Sequence, residues 1–291
     1  MDDVTVNKYI KCINYLISKK TQEVPHYNKN LFQHLINVYD KLRKWKCNED
    51  ICYAGLFHSI YGNESFTQKI ETDRSIIKNL IGSKAESLVY QYNNDRNQNK
   101  NTRIISLANK LDHDMILIFD DYIDKQEIDT NYFYFRDLVS WKFIGSGKDN
   151  NKWRKFNYKL RFKNKIEKKL KKQTESILKD MHIFDLLKPE RTYASANPYG
   201  TVHESHVDYY DDLNSKGGVT VMYYLNNFWN FNFAGETVFY DNNNQDILKS
   251  ILPKPGRIIV FNGSIEHCAR EVRRDVNDLR MVLTFKYNIC V

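Results

Sequence analysis

His206-Val207-Asp208 and His267 are the residues of this 291-residue sequence best suited to chemistry. Two imidazoles and one carboxylate can bind an iron ion on one face and leave its opposite positions open. The spacing suits that use. His206 and Asp208 are two apart, so on an extended segment both side chains leave the same side. His267 follows Arg257-Ile258-Ile259-Val260-Phe261, an apolar run that reads as a buried strand, and the turn signal Asn262-Gly263. In a chain with 8 histidines a bare His-x-Asp carries little information, so its weight lies in the segments that would position it.

Those segments divide the chain into two kinds of sequence. The first half reads as helices: Leu31, Leu35, Ile36, Val38, Tyr39 and Leu42 form one amphipathic stripe, and Ile51, Ala54, Gly55, Leu56 and Phe57 begin another. Ser83-x-x-Glu86 has the form of a capping box before Leu88 and Val89, and Ile104, Ile105, Leu107, Ala108 and Leu111 continue the helical spacing. After about residue 185 short apolar segments alternate with Gly, Asn, Asp and Pro: Thr192 to Ala196, Val219 to Leu225, Thr237 to Tyr240, Arg257 to Phe261 and Met281 to Tyr287. Short strands separated by turns predict a sandwich or double-stranded barrel. The expected class is α+β multidomain, with an all-α domain over 1–145 and a second domain over 146–291. That second domain would hold a basic supporting helix at about 150–180 and a jelly-roll core at about 188–291.

The second half resembles the prolyl-4-hydroxylase-like branch of the Fe(II)/2-oxoglutarate dioxygenases, with six motifs in that family's order. Asn197-Pro198-Tyr199-Gly200 leads into His206-Val207-Asp208. Val219 to Asn226 resembles the strand ending in Tyr-Leu-Asn, and Ala234-Gly235-Glu236-Thr237 the Gly-Gly-Glu-Thr turn. Pro253-Lys254-Pro255-Gly256-Arg257 precedes the strand before His267. Arg280-Met281-Val282-Leu283-Thr284-Phe285 resembles the closing strand. The resemblance implies that His206, Asp208 and His267 hold Fe(II), with 2-oxoglutarate and O2 as co-substrates and a place for ascorbate as reductant. It assigns the distal carboxylate of 2-oxoglutarate to Arg280, whose planar fork can bind it through two hydrogen bonds. Tyr224 would donate to the same carboxylate, and Tyr199 is a further candidate for that pocket. Thr284 shares a strand face with Arg280 and could line it. His203 sits where related enzymes place an aromatic. The 13-residue step from His267 to Arg280 is long for the family, which leaves Arg270, Arg273 and Arg274 as rivals.

The first half resembles the helical HD phosphohydrolase-like domains, through His34 on the first stripe and His58 at the end of Ala54-Gly55-Leu56-Phe57-His58. His26 lies about two helical turns before His34. Ser59 and Asn109 stand where that family places metal-binding carboxylates, and neutral groups there hold hard divalent cations poorly. His26, His34, His58 and Asn109 therefore define a candidate second pocket rather than an expected hydrolase.

Bulk properties exclude little else. A 42% hydrophobic and 27% charged composition is globular, and no apolar run is long enough to span a bilayer. Met1-Asp2-Asp3-Val4 lacks the basic start and apolar block of a signal peptide. The five cysteines are irregularly spaced, which predicts reduced thiols and a cytoplasmic protein with no membrane partner. Much of the +8 net charge lies between Lys148 and Lys172. That run reads as a solvated helix face or as a patch for nucleic acid. The function expected is hydroxylation of a prolyl or other residue of a peptide or protein. A small molecule or nucleotide recruited by the first domain is the alternative substrate, and a non-catalytic nucleic-acid-binding module the alternative class.

Overall fold

The computed structural model describes residues 3–27, 29–62, 70, 72–94, 99–112, 114–144, 155–201, 203–210, 215–241, 243 and 245–291. The chain forms two compact units, Met1–His113 and Asp114–Cys290. The division falls well before the expected 145/146. Ile116 to Phe119 pair with Phe261 to Ile258, so a segment expected to close the helical domain is a strand of the second unit's sheet.

In the first unit α1 (Asp3–Ser18) precedes a two-residue ribbon, β1 (Pro25–His26) with β2 (Lys29–Asn30), and then α2 (Leu31–Lys44), α3 (Glu49–Phe57), α4 (Arg74–Ile81), α5 (Ser83–Asn94) and α6 (Lys100–Asp112). The stripe read from the sequence buries Leu31, Leu35, Val38, Tyr39 and Leu42 of α2. Asn30 and Asn48 cap α2 and α3, their side chains accepting from Gln33 N–H and Ile51 N–H. Gly55 permits close packing of these helices, since a Cβ there would lie 2.2 Å from Leu42 Cδ1. The capping box does not form. Ser83 is already helical, and the buried Glu86 carboxylate accepts from Arg74 Nε (2.6 Å), Arg74 Nη2 (2.9 Å) and the Tyr61 hydroxyl (3.0 Å).

The second unit continues with β3 (Ile116–Phe119), α7 (Lys125–Phe133), β4 (Lys142–Ile144), β5 (Lys155–Lys159), α8 (Lys165–Asp180), β6 (Leu187–Asn197), β7 (Gly218–Tyr224), β8 (Thr237–Tyr240), β9 (Ile247–Ile251), β10 (Ile258–Asn262), β11 (His267–Ala269) and β12 (Arg280–Ile289). The basic helix is shorter than expected. Residues 155–159 are a strand, while the part of the lysine-rich run at 145–154 lies outside the described residues. Asn164 caps α8, which buries Leu170, Ile177 and Leu178 and leaves Lys168, Lys169 and Lys172 exposed.

All the sheet pairings are antiparallel. A seven-stranded sheet in the order β3-β10-β7-β12-β6-β5-β4 faces a three-stranded one, β11-β8-β9, which His206 joins through a bridge to His267. The chain passes repeatedly from one sheet to the other between β6 and β12, which is the winding of a jelly roll. Met222, Tyr224, Ile259, Phe261 and Val282 from the large sheet meet Phe239 and Ile251 from the small one in the core between them. The outer face of β7 is also covered, and the Tyr223 hydroxyl lies 2.9 Å from Thr174 Oγ1 of α8. Alternate β12 residues thus serve different masters: Arg280, Val282 and Thr284 line the inner cavity, and Leu283 and Phe285 point away from it. Among the described residues no helix is long and apolar enough to cross a membrane, and no cysteine is in a disulfide.

Candidate active site

The backbone brings the two histidines together before their side chains do anything. His206 N–H donates to the His267 carbonyl (3.0 Å) and His267 N–H to the His206 carbonyl (2.9 Å), which sets the rings side by side with centroids 4.6 Å apart. Asp208 and Tyr209 both donate their N–H to the Gly263 carbonyl, at 2.8 and 2.9 Å. The Tyr209 ring then fills a notch that only glycines leave open. A Cβ on Gly218 would lie 2.2 Å from that ring, and one on Gly263 2.4 Å from it. Turn and strand together therefore lock the segment that carries Asp208.

His206, Asp208 and His267 offer ligand atoms that all lie within 4.8 Å of one another, the sole such group of three or more His, Cys, Asp or Glu among the described residues. Asp208 oxygens lie 3.8 Å from His206 Nε2 and 3.9 Å from His267 Nε2. The ring of His267, held against Phe239 and Phe261, has Nδ1 2.8 Å from the Ile265 carbonyl. Donation from Nδ1 leaves the Nε2 lone pair for a metal, the usual outer-shell orientation of a histidine ligand. Asp208 accepts from Thr220 Oγ1 (2.6 Å) on one oxygen and from the Lys286 ammonium on the other. Burial alone would raise the Asp208 carboxyl; the charges of His267 and Lys286 and these hydrogen bonds outweigh it and hold the group below its ordinary range. Burial pushes the His267 imidazole down, which favours the neutral ligand form. Two imidazoles and an ionised carboxylate on one side of a cavity fit Fe(II).

Arg280 lines the same cavity and is almost fully buried, at 2% exposure. Its Nε donates to the Gly235 carbonyl (2.6 Å) and its Nη2 to Thr237 Oγ1 (2.8 Å), while its guanidinium carbon lies 5.5 Å from the centroid of the Tyr224 ring. Arg270, Arg273 and Arg274 are all exposed, and Arg273 pairs with Asp275. Thr284 is a lining residue, as are His203, Tyr193 and Lys155. Tyr224 is not among the described lining residues; its hydroxyl meets Thr237 Oγ1 (2.6 Å) and the Ile251 carbonyl (3.3 Å), so it braces the arginine's neighbours. Tyr199 is 51% exposed and also not among them. The sequence reading passed over Lys286, Thr220 and Lys155. Lys286 had a signal, since it shares the parity of Arg280, Val282 and Thr284. Thr220 had none in its own neighbourhood; it reaches Asp208 because β7 places it opposite Lys286.

The first unit gathers His26, His34 and His58, and the Tyr92 ring packs edge-on against His58 with centroids 5.4 Å apart. His34 and His26 rings lie 4.3 Å apart, and His34 Nε2 is 3.1 Å from His58 Nε2. Asn109 donates to the Tyr92 hydroxyl at 3.2 Å. The acid of the cluster is Asp112, one helical turn later, which meets His34 Nδ1 at 2.6 Å and Lys29 Nζ at 3.1 Å.

Residues 194–287 match the 2OG-Fe(II) oxygenase superfamily. That superfamily uses Fe(II), 2-oxoglutarate and O2. Residues 15–96 match a domain of unknown function (DUF6817). No curated protein matches the chain. Among solved structures, a prolyl hydroxylase from Trichoplax adhaerens, in complex with a hypoxia inducible factor peptide fragment, is 15% identical over 62% of this chain and 86% of its own, with a TM-score of 0.49. A Pseudomonas putida prolyl-4-hydroxylase is 14% identical over 62% and 96%, with a TM-score of 0.48. The viral collagen prolyl hydroxylase of Paramecium Bursaria Chlorella virus-1 in its 2OG complex is 17% identical over 62% and 99%, with a TM-score of 0.44.

Proposed function

We propose that the second unit is an Fe(II)- and 2-oxoglutarate-dependent hydroxylase that oxidises a C–H bond of a prolyl or other residue in a peptide or protein. The observation that carries this reading is the placement of a His-Asp-His ligand set and a buried arginine on the walls of one cavity. The order of motifs from Asn197 to Phe285 supports the peptide hydroxylase branch in particular. Iron, 2-oxoglutarate and O2 supply the oxidation: the co-substrate is decarboxylated to succinate, and one oxygen atom enters the C–H bond.

The chain's own residues bind and orient. His206, Asp208 and His267 hold the metal, with the Ile265 carbonyl fixing the His267 ring and Lys286 and Thr220 fixing the carboxylate. Arg280 binds the distal carboxylate of 2-oxoglutarate, its fork fixed by Gly235 and Thr237. The first unit is an HD-like helical domain in this proposal, supported by His34 and His58 meeting beside the Asp112 carboxylate, while Ser59 and Asn109 stand where that family places metal-binding carboxylates.

The test is anaerobic loading of the full chain with Fe(II) and 2-oxoglutarate, followed by exposure to O2. A metal-to-ligand charge-transfer band and succinate formation are expected, and His206→Ala should lose both. Absence of the band in the wild-type protein at saturating 2-oxoglutarate would refute the assignment.

A further inference from the structure

The Asp208 carboxylate is held by two donors of different kinds. One oxygen accepts from the Thr220 hydroxyl at 2.6 Å, and the other from the Lys286 ammonium. Orientation alone needs only the first kind: the His267 ring is likewise fixed by a neutral group, the Ile265 carbonyl. What Lys286 adds is a full positive charge. Its side chain is 6% exposed and that of Asp208 2%, so water screens the pair poorly. The ammonium is also well fixed in place, 5.9 Å from the centroid of the Tyr193 ring. Opposite Lys286 stand Arg191 on β6 and Thr220 on β7, so neither neighbouring strand sets a second carboxylate across from it.

That charge bears on the metal through the ligand they share. A carboxylate has two oxygens and about four lone-pair sites, so a metal ion and an ammonium can hold it together. Asp208 is the sole carboxylate among the described lining residues of the cavity, and its negative charge is offset from behind by Lys286. An ion bound by His206, Asp208 and His267 then sits one carboxylate away from a buried cation. Losing an electron adds a unit of positive charge to that ion, and the repulsion from a fixed cation grows with the charge it meets. Fe(III) is therefore disfavoured more than Fe(II). Arg280 is a second buried cation of the cavity, but in the reading above the distal carboxylate of 2-oxoglutarate comes to meet it. The carboxylate that meets Lys286 is the metal ligand itself.

We propose that Lys286 acts through Asp208 to hold the iron as Fe(II), so that the resting site resists oxidation between turnovers and depends little on an external reductant. The proposal rests on the oxygenase reading above and adds to it a positioning residue whose charge, not only its hydrogen bond, is used. It is tested by anaerobic potentiometric titration of the iron-loaded full chain without 2-oxoglutarate, following the ferric signal by electron paramagnetic resonance. Lys286→Met removes the charge; the ratio of Fe(III) to Fe(II) affinity should rise at least about tenfold, a fall of about 59 mV in the one-electron potential. Lys286→Gln should move it the same way, and reads the charge where the methionine variant does not fold. Lys286→Arg keeps the cation, and its ratio should stay within about threefold of wild type. A merely structural role predicts the opposite sign, since a loosened carboxylate stabilises Fe(III) less and raises the potential. Thr220→Val loosens the carboxylate without removing a charge and calibrates that direction. A folded Lys286→Met or Lys286→Gln protein whose potential is unchanged or raised overturns the proposal, as does a Lys286→Arg protein that shifts with the neutral variants. Either result alongside a normal charge-transfer band in wild type leaves the oxygenase reading standing. Absence of that band in wild type overturns the reading and the proposal together.

Discussion

Replacing Arg280 separates co-substrate binding from metal binding, because the two depend on different residues of one cavity. The guanidinium has five N–H donors, and the Gly235 carbonyl and Thr237 hydroxyl use two. Enough remain to bind a carboxylate through two hydrogen bonds. Truncating one partner of a buried, hydrogen-bonded charge pair costs about 2–5 kcal/mol, which is roughly 30-fold to several thousand-fold in a dissociation constant. Arg280→Ala should weaken 2-oxoglutarate by at least the lower figure. Arg280→Lys keeps the charge and loses the fork, so a loss of roughly tenfold is expected. Mn(II) affinity measured without 2-oxoglutarate should change little in either variant, since Arg280 is not one of the three ligands. The assay is a 2-oxoglutarate titration of the charge-transfer band under anaerobic Fe(II), with circular dichroism to establish that the buried substitution leaves the fold intact. A folded Arg280→Ala protein whose 2-oxoglutarate affinity is within threefold of wild type would falsify the assignment and return attention to other cations of the cavity.

Three other outcomes follow from the same geometry. The His26 imidazole is pushed down to about 4, by burial first and then by His34. An unfolded histidine titrates near 6.5, so between those values the unfolded chain binds a proton that the folded one does not. The stability contribution is present above pH 6.5 and is lost as pH falls toward 4, by roughly 2–3 kcal/mol. Hydrogen exchange of α2 at pH 7 and pH 5 should show this in wild type and less in His26→Phe; equal pH sensitivity in both would exclude His26 as the source. Asp112→Asn removes the acid beside a fully buried His34 and should lower stability by about 3–5 kcal/mol in denaturant unfolding, with a loss below about 1 kcal/mol arguing that the pair is not formed. Gly263→Ala forces a Cβ to within 2.4 Å of the Tyr209 ring. It should cost about 1–3 kcal/mol and weaken Mn(II) binding by displacing Asp208, whereas unchanged metal affinity would show that Tyr209 does not position the ligand.

The parts of the site that follow from local periodicity were legible before the fold was known. Two-residue alternation puts His206 beside Asp208, and Arg280 on one face with Thr284, without reference to any other strand. By the same parity Lys286 belonged to that face and could have been read. Thr220 could not: it reaches Asp208 only because β7 and β12 pair in the register that sets it opposite Lys286. The misread elements fail for a related reason. Lys155-Phe156-Asn157-Tyr158-Lys159 alternates as a strand should, but its lysines merged it with the basic helix that begins at Lys165. Ile116-Leu117-Ile118-Phe119 is a four-residue apolar run that fell inside the expected helical domain, and its pairing with β10 makes it a strand. Asn109 drew attention by family spacing, while Asp112 was placed by the turn of α6 that faces His34.

The two histidine systems differ in where their free nitrogens point, and that decides which of them is suited to chemistry. In both, Nδ1 is committed to an acceptor: His267 to the Ile265 carbonyl, His58 to the Gly55 carbonyl and His34 to Asp112. Each commitment turns Nε2 away from the backbone. In the second unit the Nε2 atoms face a cavity, with an ionised carboxylate beside them and a buried arginine further along the wall. In the first unit they face each other at 3.1 Å, in rings with no exposed surface. The Asp112 carboxylate lies 2.6 Å from Nδ1 of the same His34 ring, so the contact is held from both ends. The first arrangement leaves lone pairs for a ligand to take up. The second uses them to join α2 to the end of α3, so its substitutions should register in stability, and those at His206, Asp208 and His267 in metal affinity.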